Sequence, residues 1–315
     1  MADLRSMAVH WSRKAFGAPA GADIRDEGLD AVLDGTSAVA MAEQAIASRV
    51  VDSAEGPRGI VAAATGLALA GRRATAFLSG PDLVAAQDLL LSAAGKQVPL
   101  VLHLTARAAT AHGGAAGSGH DTVHLCADAG FFLLFATNVQ QAVDFAFIAR
   151  RVAEETLVPG SVVMDGEQTA QAPQDVRLLS PNQVARFSGS PDEEIESPTE
   201  AQKLLFGQAR RRLPVWHDLD EPMLKGAVFD RGSFALGAAA RRPFFDDFVS
   251  ESLARAIDAF ALLTGREHGP VNRHALDKAD TVFVAQGAAV ETAKLAADEL
   301  GKRHGTRAGV LGVQA

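Results

Sequence analysis

The chain has 315 residues, 48% hydrophobic and 22% charged, with 30 Lys and Arg against 38 Asp and Glu for a net charge of −8. That balance argues against nucleic acid or an anionic membrane as the main partner, because no global basic field exists to hold phosphates. The single cysteine, Cys126, excludes an internal disulfide framework and any iron–sulfur cluster held by this chain alone. No apolar run approaches the ~20 residues of a membrane span, and the first 25 residues show no apolar signal core. The expectation is a soluble, cytoplasmic α/β protein.

Residues 1–33 are weakly patterned and read as a lead-in arm. Asp34-Gly35-Thr36-Ser37 supplies cap chemistry for a helix to about Ser48, with Val39, Ala42 and Ile46 on one face. A short strand over 49–53 follows. Gly56-Pro57 then opens a helix with Ile60, Ala63, Ala64 and Leu67 facing inward, and Gly71 ends it. Next come a strand at 74–78, a helix at 80–95 carrying Leu83, Ala86, Leu90 and Ala94 on one face, and a strand at 98–105. Strand, helix and strand at this length form a βαβ unit with parallel, buried strands.

A strand at 131–136, a helix capped by Thr137-Asn138 and a strand at 160–164 continue the alternation, predicting a doubly wound parallel sheet. Regularity fades over 168–243, which reads as a surface excursion with helical spacing only at 201–213. Residues 244–264 form an amphipathic helix with Phe248, Leu253, Ile257, Phe260 and Ala261 on its apolar face. A strand, helix and strand at 280–285, 290–303 and 309–313 make a second, small α/β unit within 266–315. Two parallel strands have too little core to stand alone, so this unit either docks on the 34–265 domain or fronts a longer chain. Its open apolar surface implies an oligomer or a covering partner.

Polar side chains at the carboxyl end of a buried parallel strand stand where open α/β sheets place ligands. His103, Thr105 and Arg107 end the 98–105 strand and lead into the glycine-rich 113–119 loop. Arg107 is a permanently charged fork suited to a carboxylate, or else an ion-pair partner of Asp121 or Asp128. Asp52 and Glu55 flank the end of the 49–53 strand, where a carboxylate can bond a heterocycle nitrogen or cap the helix at Pro57. His112, His120, His124 and Cys126 lack the paired spacing of a zinc site, so no metal is expected. The glycine loop lacks the lysine of a phosphate-binding P-loop. The arginine clusters at 72–73, 150–151, 210–212 and 241–242 are expected on solvated faces or subunit contacts.

Four stretches together, DGTSAVAMAEQAIAS from Asp34, the block running from AGRRATAFLSG to VPLVLHLTARA, Met164-Asp165-Gly166, and PFFDDFVSESLARAIDAFALLTGRE, resemble the amino-terminal (alpha) region of the pyruvate:ferredoxin oxidoreductases. DKADTVFVAQGAAVETA, from Asp277, continues the resemblance into the family's next domain, which resembles the transketolase C-terminal domain. The resemblance implies thiamine diphosphate chemistry on a 2-oxo acid. This region would hold the aminopyrimidine, and other domains or chains would carry the diphosphate site and the redox centres. Arg107 falls on the family's substrate-facing arginine. Asp52 falls near its activating glutamate after a one-residue shift, with Glu55 beside it, and these two are the implied catalytic carboxylates. The family's Tyr-Pro-Ile-Thr-Pro segment has no counterpart between Ser48 and Arg49. Two hypotheses stay open: an alpha-type component of a 2-oxo acid oxidoreductase, inactive as an isolated chain, or a non-catalytic assembly module like the one fronting some sulfite reductase flavoprotein subunits.

Overall fold

The computed structural model of the chain describes residues 28–52, 55–108, 119–215 and 231–315. The first part of the chain runs β1 (Leu29–Leu33), α1 (Gly35–Ala45), β2 (Arg49–Val50), α2 (Gly56–Leu69), β3 (Ala74–Ser79), α3 (Gly80–Gly95), β4 (Val101–Ala106), α4 (His124–Ala129), β5 (Phe132–Phe135), α5 (Val139–Thr156) and β6 (Gly160–Asp165). Strands β2 to β6 form one parallel sheet in the order β2-β3-β4-β6-β5. Side chains alternate across it, so Leu102 and Leu104 pack under α2, α3 and α4 while Val101, Val162 and Met164 pack under α1 and α5. Both faces are covered, as the doubly wound reading expects.

The caps are local. Asp34 accepts from the Ser37 N–H at the start of α1, and Asn138 accepts from the Gln141 N–H at the start of α5, both at 2.9 Å. Asp82 accepts from the Ser79 N–H at 2.8 Å where α3 begins.

Four expectations need correction. Residues 29–33 are no arm, because β1 pairs antiparallel with β7 (Gln174–Leu178); residues 1–27 lie outside the described ones. Residues 168–243 are no simple surface excursion either. They include β7, α6 (Pro181–Ser188), β8 (Glu194–Glu196), α7 (Glu200–Phe206), β9 (Ala209–Arg211) and α8 (Arg231–Phe244). Val176, Leu178, Val184 and Phe187 from this stretch belong to the core under α1 and α5. Irregular sequence hid the burial because each element is short. The helix expected at 244–264 is divided: a 3₁₀ turn at Asp246–Phe248 separates α8 from α9 (Val249–Thr264).

The fourth correction concerns the arginine clusters, three of which, at 72–73, 150–151 and 210–212, place one member inside. Arg150 is buried and donates to Glu43 Oε2 at 2.8 Å and to the Ala74 carbonyl at 3.1 Å, while Glu43 Oε1 meets His103 Nε2 at 2.9 Å. Arg73 is buried and forks onto Glu154 at 2.7 and 3.0 Å. Arg210, also buried, donates to Gln202 Oε1 at 2.6 Å and to the Glu154 carbonyl at 2.8 Å. Adjacent residues point in different directions, so a doublet can send one guanidinium to solvent and the other inward, where carboxylates and orphan carbonyls compensate its desolvation. Burial alone would raise the Glu43 carboxyl; the Arg150 charge and the His103 hydrogen bond outweigh it and hold that group at about 2.

The C-terminal unit comprises β10 (Val271–His274), β11 (Thr281–Gln286), α10 (Ala289–His304) and β12 (Ala308–Val313), with β11 and β12 parallel and β10 added antiparallel in the order β10-β12-β11. The link from α9 is pinned at buried Asp144, which takes a two-pronged contact from Arg266 at 2.8 Å and a hydrogen bond from His268 Nε2 at 2.9 Å. Among the described residues no helix is long and apolar enough to cross a membrane.

Candidate functional site

The carboxyl ends of β3, β4 and β6 lie side by side and present Ser79, Arg107 and Asp165 in that order, whereas β2 stops opposite Thr75 and Val101, so that Asp52 follows it at the level of the first half of β4. Arg107 stands one residue past β4, half-buried, and its Nε is buried with no hydrogen-bond partner among the described residues. Among the described residues its guanidinium forms no ion pair, so the alternative pairing with Asp121 or Asp128 is not found. A buried guanidinium donor left unpaired costs free energy on the order of 1–3 kcal/mol or more. Such an atom is a standing demand for an acceptor.

The backbone that carries Arg107 is held from two sides. Thr122, buried, donates its Oγ1–H to the Arg107 carbonyl at 3.2 Å. Gly80, first residue of α3, passes so close that a Cβ there would collide with the Arg107 carbonyl and the Thr122 hydroxyl. Only glycine permits that approach.

Asp52 is exposed just beyond β2, which is the edge strand and pairs with β3 no further than Thr75. Its strand is two places from β4, about 10 Å at ordinary strand spacing, and the register sets it level with His103, roughly another 13 Å short of Arg107 along the sheet. Glu55 is also exposed and occupies the N-cap position of α2, yet its side chain makes no capping bond. Neither carboxylate touches Arg107.

The candidate metal ligands separate. His112 and residues 113–118 of the glycine loop lie outside the described residues. His124 is exposed at the start of α4, whereas Cys126 is buried and its thiol is pushed up to about 12 by burial. Among the described residues no group of three or more His, Cys, Asp or Glu could hold a metal ion.

His120 has a different use. Its Nε2–H donates to Asp165 Oδ1 at 2.7 Å, and its Nδ1 meets Gln286 Oε1 at 3.2 Å. The Asp165 hydrogen bond raises the imidazole above its ordinary 6.5, partial burial opposes this, and the Asp165 charge adds to the rise. Asp165 Oδ2 also accepts from the Ala288 N–H at 2.5 Å, over Gly287 at φ +65°, where a Cβ would strike the carboxylate. Thr137 Oγ1 donates to Glu291 Oε1 at 2.8 Å, and the Phe135 N–H donates to the Gln314 carbonyl at 2.8 Å. The C-terminal unit is thus seated on the carboxyl ends of β5 and β6. Sequence reasoning missed this junction because its partners lie 45 and 166 residues from His120. The only local signal was an aspartate ending a fully apolar strand.

A cleft of about 1110 Å³, lined in part by Gln44, Arg49, Arg72 and Asp192, opens at the amino ends of β2 and β3. It lies at the opposite end of the sheet from Arg107.

The chain matches the family described as pyruvate flavodoxin/ferredoxin oxidoreductase, thiamine diphosphate-binding, over residues 35–219. It is 27% identical over 311 residues to a protein of Escherichia coli (strain K12) named "Probable pyruvate-flavodoxin oxidoreductase", covering 95% of this chain and 25% of that protein. It is 25% identical over 272 residues to "Pyruvate synthase subunit PorA" of Methanocaldococcus jannaschii, covering 83% of this chain and 62% of that one. Its fold is similar to that of a 2-oxoglutarate:ferredoxin oxidoreductase from Magnetococcus marinus, with a TM-score of 0.58 at 13% identity over 90% of this chain and 54% of the other. Against the E. coli relative, the chain spans a quarter of its length.

Proposed function

The chain belongs to the pyruvate flavodoxin/ferredoxin oxidoreductase family, and we propose that it forms the pyrimidine-facing part of a cytoplasmic 2-oxo acid oxidoreductase assembly. Other domains or subunits would supply the diphosphate site and the redox centres, so the isolated chain would be inactive. The observation that carries the reading is Arg107, a half-buried guanidinium at the carboxyl end of β4 whose Nε has no partner among the described residues. Its fork would take the carboxylate of pyruvate or a related 2-oxo acid. Asp52 or Glu55 would hold the aminopyrimidine of thiamine diphosphate through a ring nitrogen. When bound, that cofactor supplies the electron sink for loss of carbon dioxide from the 2-oxo acid. The part played by this chain is to bind the carboxylate, orient it and hold the heterocycle.

A second reading, a non-catalytic assembly module of the kind fronting a sulfite reductase flavoprotein subunit, draws on the connection between α1 and β2. Only residues 46–48 join them, which leaves no place for the family's threonine-bearing segment. The test is purification of the native assembly through a tag on this chain, identification of its other chains and cofactors, and titration with pyruvate by calorimetry. Arg107→Lys keeps the charge and loses the fork, and is expected to weaken pyruvate by about 1.5–3 kcal/mol with the melting temperature unchanged. No pyruvate binding by the parent assembly, or equal binding by Arg107→Lys, rejects the substrate role.

A further inference from the structure

One cluster beside Arg107 holds groups that the proposed chemistry leaves unused. His120 bonds Asp165 at the end of β6 and Gln286 at the end of β11, and so joins the parallel sheet to the C-terminal unit. Two residues later in the same turn, Thr122 donates to the Arg107 carbonyl. Register puts Asp165 directly opposite Ala106, the residue before Arg107. One short turn therefore touches the Arg107 backbone, the neighbouring strand end and the second unit.

We propose that His120 is a positioning residue for carboxylate recognition: by spanning Asp165 and Gln286 it fixes the turn that supports Arg107, so that binding at Arg107 depends on how the C-terminal unit is seated. This rests on the reading of Arg107 as the carboxylate fork. Neither half of the arrangement is explained by local folding. Residues 120–122 form no helix or strand. The bond to Gln286 adds nothing to the parallel sheet. It serves only to tie the two units, and Gly287 keeps the tie close by admitting the Asp165 carboxylate where a side chain would stand. Small displacements of a binding group cost affinity or rate steeply, about a hundred-fold for 1 Å in an active site. A clamp on the Arg107 backbone is therefore worth more to function than to stability.

The test uses the same purified assembly, with pyruvate as the probe and amide hydrogen exchange of the segment around Ala288 as a report on seating. His120→Gln reaches one partner only. It should accelerate Ala288 exchange and weaken pyruvate about ten-fold, and Gln286→Ala should do the same to a smaller extent, which covers the case of a His120 variant that fails to fold. Thr122→Val should weaken pyruvate while leaving Ala288 exchange unchanged, and Thr122→Ser, which keeps the hydroxyl, should restore parent affinity. Faster Ala288 exchange in both junction variants with pyruvate affinity within two-fold of the parent overturns the positioning role. If Arg107→Lys binds as the parent does, the carboxylate reading itself falls, and the two failures are told apart by that variant.

Discussion

Two strands of equal length show what sets the two units apart. β4, VLHLTA, and β11, TVFVAQ, are both six-residue apolar parallel strands. β4 lies between β3 and β6 with helices on both faces and is buried at five of its positions; β11 is an edge strand with four exposed, Val284 at 68%. Equal hydrophobicity has produced opposite burial, because place in the sheet order decides how many neighbours a strand has. The larger unit closes its own core, with ion pairs buried inside it. The smaller unit has only Val290, Ala297, Ala308 and Val310 as buried core and relies on the polar junction for its seat.

The sharpest contrast is between ion pairs. Glu43→Ala would strand the Arg150 charge in the core, and a loss of about 3–5 kcal/mol is expected, visible as a large fall in melting temperature. The matching experiment on the small unit is Asp280→Asn, which removes the exposed pair with Arg307 at 2.6 Å; its melting temperature should stay with the parent. A similar effect from both would mean that Arg150 reaches solvent or finds another partner.

Apolar truncation repeats the comparison with less force. Leu102→Ala in β4 should cost about 2–5 kcal/mol, whereas Val284→Ala should leave chemical denaturation unchanged. A substantial cost at Val284 would show that another chain or a second copy covers β11 in solution.

The units should also part in their response to pH. The Glu43 carboxyl is depressed from its ordinary 4.5 to about 2, so its contribution is present above 4.5 and is lost as pH falls toward 2. The His120 imidazole is raised above 6.5, so its contribution is complete below 6.5 and is lost as pH rises through the raised value. Hydrogen exchange across pH should therefore loosen the strands of the large sheet in acid and the Ala288 segment in mild alkali. His120→Gln should abolish the alkaline change alone; its persistence would assign it to another group.

A small, local effect is expected from Gly287→Ala, which forces a side chain at positive φ against Asp165. A loss of about 1 kcal/mol or a little more is anticipated, read as faster exchange at Ala288 without a change in β4 or β6.

Much of this was legible from residue order. Apolar runs bounded by glycine and proline located β3, α3, β4, β5 and β6 to within a few residues, and Asp34 and Asn138 marked helix starts, because caps and periodicity act over three or four positions. Arg107 was singled out by the same logic, as a charged side chain ending a buried strand. Tertiary structure alone decided which arginine of three clusters turned inward, that residues 174–187 close the core, that β11 lies at an edge, and that His120 bonds Asp165 and Gln286. Arg73–Glu154, Arg150–Glu43, His120–Asp165 and His120–Gln286 join residues 81, 107, 45 and 166 positions apart, and a contact across that distance leaves no period in the chain from which to read it.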